Sequence, residues 1–169
     1  MELLDWDKTG RTFYLLDTFA GLDERYISDY ERREGLVMAR NAHDIASGFY
    51  TFDVKHVRDN FSEWKNVEII VGSIPETLHQ IKSEQIAFLH LDLNCSMPEV
   101  AAMEALWDRL TPGAFVLLDD YAYDGYRSQK IGMDEWAGVN NVPVLSLPTG
   151  QGLLIKARPL SRSESGKRP

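Results

Sequence analysis

The chain has 169 residues, a net charge of −8 and 44% hydrophobic residues, which suits one globular domain that buries a core. An acidic surface repels phosphate backbones, so we expect no nucleic-acid partner, and no apolar run approaches the roughly 20 residues that a membrane span requires. A single cysteine, Cys95, excludes an internal disulfide. Because no charged-then-apolar leader opens the chain, we expect a cytoplasmic protein.

The first half of the chain predicts two strands separated by a long polar segment. The runs "TFYLLD" at 12–17 and "VEIIV" at 67–71 are short and continuously apolar, which indicates strands covered on both faces. Between them, residues 23–50 are polar and broken by glycine, and we predict an irregular insertion with some helix. Residues 53–64 carry apolar side chains at helical spacing and predict a helix.

The second half alternates helices and strands. We predict helices at 75–82, 98–110 and 127–137, strands at 86–92 and 114–120, and a closing pair of strands at 142–147 and 152–156 around a "PTGQ" turn. This alternation predicts an α/β fold, a Rossmann-like and mostly parallel sheet flanked by helices, over residues 1–156. The basic tail, residues 157–169, is expected to be disordered.

Polar residues follow the predicted strands at their carboxyl ends, where open α/β sheets bind ligands. Asp17 ends the first strand, and it either accepts hydrogen bonds from the hydroxyls of a ribose or caps the turn "DTFAG". Asp92, Asp119 and Asp120 end the third and fourth strands. Three carboxylates with no compensating cation suit Mg²⁺, unless only one of them faces the cleft and the others cap loops.

Other reactive side chains near these strand ends have two interpretations each. His90 shares a strand face with Asp92, so it is either a general base or a hydrogen-bonded core histidine. Cys95 has no histidine–acid pair at a suitable position, which argues against a nucleophile. The tyrosines after the fourth strand either line a substrate pocket or pack the sheet edge; they are Tyr121, Tyr123 and Tyr126.

These motifs together resemble a known enzyme family. The runs "FYLLDTFAGL", "VRDNF", "VEIIVGSIPETL", "IAFLHLDLN" and "RLTPGAFVLLDDYAYDGY" have the order and spacing of class I S-adenosylmethionine-dependent methyltransferases. They look most like the macrocin O-methyltransferase group, whose members often use Mg²⁺, and the similarity covers about residues 11–156. The resemblance implies an enzyme that methylates a small-molecule hydroxyl, with S-adenosylmethionine as cofactor, and assistance by Mg²⁺ is a further expectation.

The resemblance also implies roles for individual residues. Asp92 and His90 would be catalytic, taking the proton of the acceptor hydroxyl. The metal ligands would be Asp92, Asp119 and Asp120. The cofactor would be bound by two loops, Asp17, Thr18 and Phe19 after the first strand, and Gly72, Ser73 and Ile74 after the second.

The sequence departs from the family pattern in two places. Asn94 stands where the family often has a second acid, although an amide oxygen is still a hard ligand. The family's first strand and Gly-rich loop should precede residue 11, but "MELLDWDKTG" has neither pattern, so we expect a fold that lacks both. That strand would lie between the strands at 12–17 and 86–92, which must then pair directly, pair through another chain or leave open edges.

Three other functions compete with methyl transfer. A catalytically silent remnant or interaction module would keep the fold without the glycine loop, and a homo-oligomer could form through the open sheet edges. A phosphoacceptor receiver domain would place its acid pair at the first strand and a lysine at the last, which this chain does not. A nicotinamide dehydrogenase would need the same absent glycine loop.

Overall fold

The computed structural model describes residues 5–158, so most of the predicted disordered tail, residues 157–169, lies outside the described residues. The helices are α1 (Asp29–Glu34), α2 (Leu36–Ser47), α3 (Val54–Asn60), α4 (Ser96–Leu106) and α5 (Arg127–Asn140). The strands are β1 (Phe13–Asp17), β2 (Val67–Val71), β3 (Ile86–Leu91), β4 (Leu110–Leu118), β5 (Leu145–Ser146) and β6 (Gly152–Ile155). All six predicted strands are therefore present, although β4 begins four residues earlier than predicted and β5 is only Leu145–Ser146 of the predicted 142–147.

The described strands form two separate sheets. In the first, β1 and β2 run parallel, with Phe13 opposite Val67. In the second, the order is β3-β4-β6-β5; β3 and β4 are parallel, and β6 runs antiparallel to both β4 and β5. Because β1 pairs only with β2 and β3 only with β4 within the described part, each keeps one open edge. Of the three arrangements expected for these strands, direct pairing of β1 with β3 is therefore absent from the described residues, and pairing through another chain stays a prediction.

One hydrophobic core joins the two sheets. Helices α4 and α5 pack against each other, with the rings of Trp107 and Trp136 in edge contact at 5.1 Å. They cover one face of β3, β4 and β6, where Val116 and Leu154 are fully buried. Tyr14 and other side chains of β1 pack against the same cluster, so the first sheet shares this core although it lacks hydrogen bonds to β3.

The opposite face of the larger sheet is open to solvent. Phe88, Phe115 and Ile155 lie on this face and are 57%, 46% and 45% exposed, and Phe115 and Ile155 have buried neighbours along their strands. The expectation of strands covered on both faces is therefore wrong for this face, because α4 and α5 both lie on the other side. The apolar character of these residues indicates a surface that favours contact with another apolar surface.

The predicted irregular insertion, 23–50, is mostly helical. Ser28 and Glu31 form a capping box that begins α1, and Gly35 and Gly48 end α1 and α2 with φ of 71° and 73°. The glycines that suggested broken structure are helix terminators in the left-handed region, where a side chain costs energy.

Two predicted helices differ from those observed. The segment 75–82 contains only a 3₁₀ turn, Leu78–Gln80, and directly after it the carbonyls of Ile81 and Ser83 accept hydrogen bonds from Arg109. The helix predicted at 98–110 begins at Ser96 and ends at Leu106, since the chain enters β4 at Leu110, opposite Ile86. Among the described residues, no helix combines the length and the apolar character needed to cross a bilayer.

Candidate active site

A cavity of about 310 Å³ opens at the carboxyl ends of β1, β2 and β3. Its walls are formed by residues 16–23 after β1, residues 49–52 at the end of the insertion, residues 72–74 after β2 and residues 92–93 after β3. All six residues predicted to bind the cofactor line this one space: Asp17, Thr18, Phe19, Gly72, Ser73 and Ile74. The fold thus brings together two loops that are about 50 residues apart in the chain.

The turn after β1 is held in a fixed shape by its own polar groups. The Phe19 N–H donates to Asp17 Oδ1 at 2.7 Å, and the Thr18 hydroxyl donates to the Gly21 carbonyl at 2.6 Å. Phe19 has a φ of 51°, a conformation that this hydrogen bonding supports. Asp17 therefore does cap its turn, but a carboxylate has a second oxygen, so capping does not exclude a hydrogen bond to a ligand hydroxyl.

The loop after β2 approaches the same turn closely. The Gly72 N–H donates to the Asp17 carbonyl at 2.9 Å, and Gly72 has a φ of 142°. A Cβ at this position would lie 2.7 Å from Thr77 Cγ2, so any other residue would displace the loop. Glycine is required here by both conformation and space.

Ser73 uses its hydroxyl within the protein. It donates to Asp23 Oδ2 at 2.5 Å, and Asp23 also pairs with Arg25, whose guanidinium bridges to Glu76 at 2.8 Å. The Arg25 guanidinium, and secondly the Ser73 hydroxyl, hold the pKa of Asp23 well below its usual range. This network ties the loop after β2 to the start of the insertion across the rim of the cavity.

The three acids at the ends of β3 and β4 have different surroundings. Burial, and then the neighbouring Asp119, raises the pKa of Asp92, which lines the cavity. Burial, and then Asp92, raises the pKa of Asp120 to about 6. Asp119 instead accepts a hydrogen bond from Gln151 at 2.7 Å. Asp92 therefore lies near enough to Asp120 to disfavour its charged form, an effect that is common at functional sites.

The predicted three-acid magnesium site is not supported by the structure. Within residues 5–158, no group of three histidine, cysteine or acidic side chains is arranged to hold a metal ion. Among the described residues, Asp120 Oδ2 is buried and has no hydrogen-bond partner, which leaves one acceptor for a cation or a donor. Asn94 does not complete the set, because its Oδ1 accepts a hydrogen bond from the Tyr126 hydroxyl at 2.8 Å.

His90 lies on the open face of β3, not in the core. Its side chain is 43% exposed, and Nε2 is 3.5 Å from Asp119 Oδ1. The interpretation as a buried, hydrogen-bonded histidine is therefore wrong. A catalytic role for His90 stays a prediction, and His90 is not among the residues that line the cavity.

The three tyrosines after β4 serve different purposes. Tyr121 is buried and donates to Asp134, and its ring packs directly on Gly152, so it is part of the framework. Tyr126 faces the acids, and Arg40 of α2 lies over its ring at 4.4 Å. Tyr123 is 58% exposed. Arg40 thus brings a positive charge from the insertion toward Asp120, where it offsets a small part of the rise in pKa that burial and Asp92 cause.

Cys95 is not available as a nucleophile. It is 2% exposed, and burial raises the pKa of its thiol far above neutrality. The thiolate that nucleophilic catalysis requires is therefore absent at physiological pH, in agreement with the sequence-based interpretation.

The sequence reasoning missed the contribution of the insertion to the cavity. Asn41 Oδ1 accepts from the Leu22 N–H at 3.1 Å and so holds the cavity wall against α2. The segment "GFYTF" at 48–52 places an aromatic cluster at the mouth, where Phe49 and Phe52 are 77% and 44% exposed. A run of aromatic residues directly after a glycine in a polar segment could have indicated in the sequence that this segment contributes to a binding site.

Comparison with known proteins assigns the fold and the family. The O-methyltransferase NovP superposes with a TM-score of 0.72 at 19% identity, covering 88% of this chain and 61% of that chain. The calicheamicin methyltransferase CalS11 superposes with a TM-score of 0.59 at 20% identity, over 86% of this chain and 60% of that chain. Both share the fold.

A curated relative and a family profile extend this result. The 8-demethyl-8-(2,3-dimethoxy-alpha-L-rhamnosyl)-tetracenomycin-C 4'-O-methyltransferase of Streptomyces olivaceus is 28% identical over 123 residues, 70% of this chain and 45% of the relative. The chain thus spans about half the length of that relative. The profile of the macrocin O-methyltransferase family (TylF) matches residues 3–142. Since that match covers most of the sequence and the fold agrees, the chain belongs to the macrocin O-methyltransferase (TylF) family.

Proposed function

We propose that this chain takes part in the transfer of a methyl group from S-adenosylmethionine to a hydroxyl group of a small molecule. The observation that carries the proposal is the cavity itself, which receives Asp17 from β1, Ser73 from β2 and Asp92 from β3. Parallel α/β sheets bind nucleoside cofactors at this edge. Membership of the family and the names of its relatives support the reaction type.

The cofactor would lie across the loops after β1 and β2. Asp17 would accept hydrogen bonds from the ribose hydroxyls, with Thr18 and Phe19 shaping the turn beneath. The adenine would lie beside 72–74, where Gly72 permits close approach of the backbone. Because Ser73 already donates to Asp23, its hydroxyl would shape the loop, and its backbone would face the adenine.

The acceptor hydroxyl would be deprotonated at the end of β3. Asp92 lines the cavity, and its raised pKa makes it a better proton acceptor than an ordinary aspartate. The hydroxyl oxygen would attack the sulfonium methyl in line, the carbon–sulfur bond would break with its electron pair staying on sulfur, and Asp92 would take the proton. His90 could accept that proton only if the acceptor reaches the open face of β3.

Magnesium assistance stays a separate expectation, and no step above depends on it. The two acids with raised pKa and the unpartnered Asp120 Oδ2 support cation binding, while the lack of a three-ligand group among residues 5–158 speaks against it. Titration of the chain with Mg²⁺ alone, followed by calorimetry, tests it directly. Asp120→Asn should then abolish any heat.

A sugar hydroxyl is the acceptor class that the observations favour. The curated relative is named for methylation of a rhamnosyl-bearing compound, and one solved structure of CalS11 is described as a TDP-rhamnose 3'-O-methyltransferase. The exposed rings of Phe49 and Phe52 at the cavity mouth offer apolar faces on which a sugar ring packs.

An interaction module is the second candidate, and one observation favours it. The open edges of β1 and β3 and the exposed apolar face of β3, β4 and β6 are features of a surface that binds another chain. Such a module would bind a partner without binding the cofactor.

Calorimetric titration of the full chain with S-adenosylmethionine distinguishes the two candidates. Micromolar binding that Asp17→Asn abolishes would support the methyltransferase. Asp108→Asn is the matched control, because its side chain is fully exposed on the far side of the domain. Binding that is absent, or that survives Asp17→Asn unchanged, would contradict the proposed cofactor site.

A further inference from the structure

Glu31 is a carboxylate buried in a set of hydrogen bonds that reaches across three helices. Its side chain is 1% exposed. Oε2 accepts from the N–H and the hydroxyl of Ser28 at 2.8 and 2.6 Å. Oε1 accepts from the Ser96 N–H and the Ser128 hydroxyl, both at 2.8 Å. Each carboxylate oxygen of Glu31 therefore accepts two hydrogen bonds.

Helix capping explains only half of this arrangement. A capping box needs one oxygen of the glutamate to accept from the N-cap residue, and Oε2 does this with Ser28. A glutamate can make this capping hydrogen bond while it is exposed at the protein surface, so capping does not require its burial. Oε1 points away from α1 and binds two other helices, which the cap does not require.

The two other helices are those that follow the acid-bearing loops. Ser96 is the first residue of α4, directly after the loop that carries Asp92 and Asn94. Ser128 lies in the first turn of α5, directly after the loop that carries Asp120 and Tyr126. An anion near the N-terminus of a helix also interacts favourably with the helix dipole.

On its own side, Glu31 lies in the helix that directly follows the wall of the cavity. Helix α1 follows residues 21–23 and Tyr26, which line the cavity, and Ser28 is its N-cap. Glu31 is therefore the point at which the cavity wall is fastened to the starts of both α4 and α5. Burial acts to raise the pKa of Glu31, but its hydrogen bonds outweigh this, and the net pKa is lowered, so it stays charged at neutral pH.

We propose that Glu31 is a positioning residue that holds the cavity wall, residues 21–26, in register with the loops that carry Asp92 and Asp120. This inference rests on the proposed function, since it assigns to Glu31 the alignment of the cofactor side of the cavity with its acidic side. Burying a charge is unfavourable, and apolar residues of similar size could pack α1 as well, so a carboxylate at this position favours a role in fixing one geometry.

Glu31→Gln is the first test, because the amide has nearly the same shape. The –NH₂ group of glutamine donates and cannot accept a hydrogen bond. In either orientation of the amide, this group would face a backbone N–H, that of Ser28 or that of Ser96, which is fixed in place and also donates. We expect S-adenosylhomocysteine, the product form of the cofactor, to bind about tenfold more weakly in calorimetry, as for loss of one hydrogen bond to a charged group. We also expect faster amide exchange at 21–26 and 92–95.

Glu34→Gln is the matched control. Glu34 lies in the same helix, is exposed, and accepts only from the Tyr30 hydroxyl in the same turn. Its change should leave the affinity within twofold of the wild type. Ser128→Ala is the second variant, because it removes one donor without disturbing α1; about threefold weaker binding is expected, with less effect when Glu31→Gln is already present.

The outcomes separate this inference from the proposed function. If the wild-type chain does not bind S-adenosylhomocysteine, the proposed function fails, and amide exchange at 92–95 still decides the role of Glu31. If Glu31→Gln and Ser128→Ala lower only the melting temperature, with affinity and local exchange unchanged, Glu31 is merely structural and the inference is overturned. If Glu31→Gln does not fold, Ser128→Ala alone decides by the same two readouts.

Discussion

Asp120→Asn should stabilise the protein at neutral pH while damaging its site. The pKa of Asp120 is raised to about 6 from an ordinary value of 3.8, with burial as the main cause and Asp92 as the second. A difference of about two pH units corresponds to ~3 kcal/mol of unfavourable free energy for the charged form. Because the side chain is only partly buried, water screens this effect, and we expect about 1–2 kcal/mol.

The pH dependence follows from the direction of this change. A pKa that is higher in the folded state means that folding favours the protonated acid, so its contribution to stability is complete below about pH 4 and is lost as the pH rises through about 6. Asparagine carries no charge at any of these pH values. The stability advantage of Asp120→Asn should therefore be small at pH 4.5 and reach its full size near pH 7.5.

Urea unfolding of the wild type and the variant at the two pH values measures this difference. Asp108→Asn is the control, because its side chain is fully exposed and its stability should change little. If Asp120→Asn is no more stable than the wild type at pH 7.5, or if its advantage is equal at both pH values, then burial and repulsion do not act on Asp120 as described. A gain in stability with a loss of binding would show that the acid is kept for function.

Three further results are expected. Gly152→Ala should lower the free energy of unfolding by about 1–3 kcal/mol, because its Cβ would lie 2.7 Å from the Tyr121 ring, and an unchanged urea midpoint would contradict this packing. Cys95 should resist a thiol reagent in the native protein and react fully in urea, since it is 2% exposed; rapid native labelling would contradict its burial. The chain should self-associate at high concentration through its open edges and exposed apolar face, and Phe88→Lys should reduce this in sedimentation velocity, whereas a concentration-independent monomer would refute it.

The strands were predictable because their signal is local. Each run such as "VEIIV" is apolar, short and bounded by a turn residue, so its neighbours along the chain are enough to identify it. The position of Asp17 and of 72–74 at carboxyl ends then followed from the rule that parallel strands expose those ends together. The insertion was misread because its glycines were taken as breaks, when Gly35 and Gly48 end helices that a capping box and ordinary propensity had begun.

The acids show where local reasoning stops. Asp92, Asp119 and Asp120 look alike in the sequence, yet Asp119 is engaged by Gln151 from the hairpin while Asp120 keeps a buried oxygen without a partner. The sequence likewise allows His90 to be buried or exposed. It is exposed because α4 and α5 cover the other face of β3. These outcomes depend on residues more than 30 positions away, which no window of sequence contains.

The sequence by itself determined the six strands in their chain order, the family, and the strand ends at which a ligand would bind, because apolar runs and turn residues act over a few neighbours. Only the tertiary structure decided that β1 and β3 keep open edges, that the insertion walls the cavity, and that Glu31 fastens this wall to α4 and α5. Those features arise from hydrogen bonds and burial between segments that are distant in the chain, and these interactions form only when the tertiary structure brings the segments together.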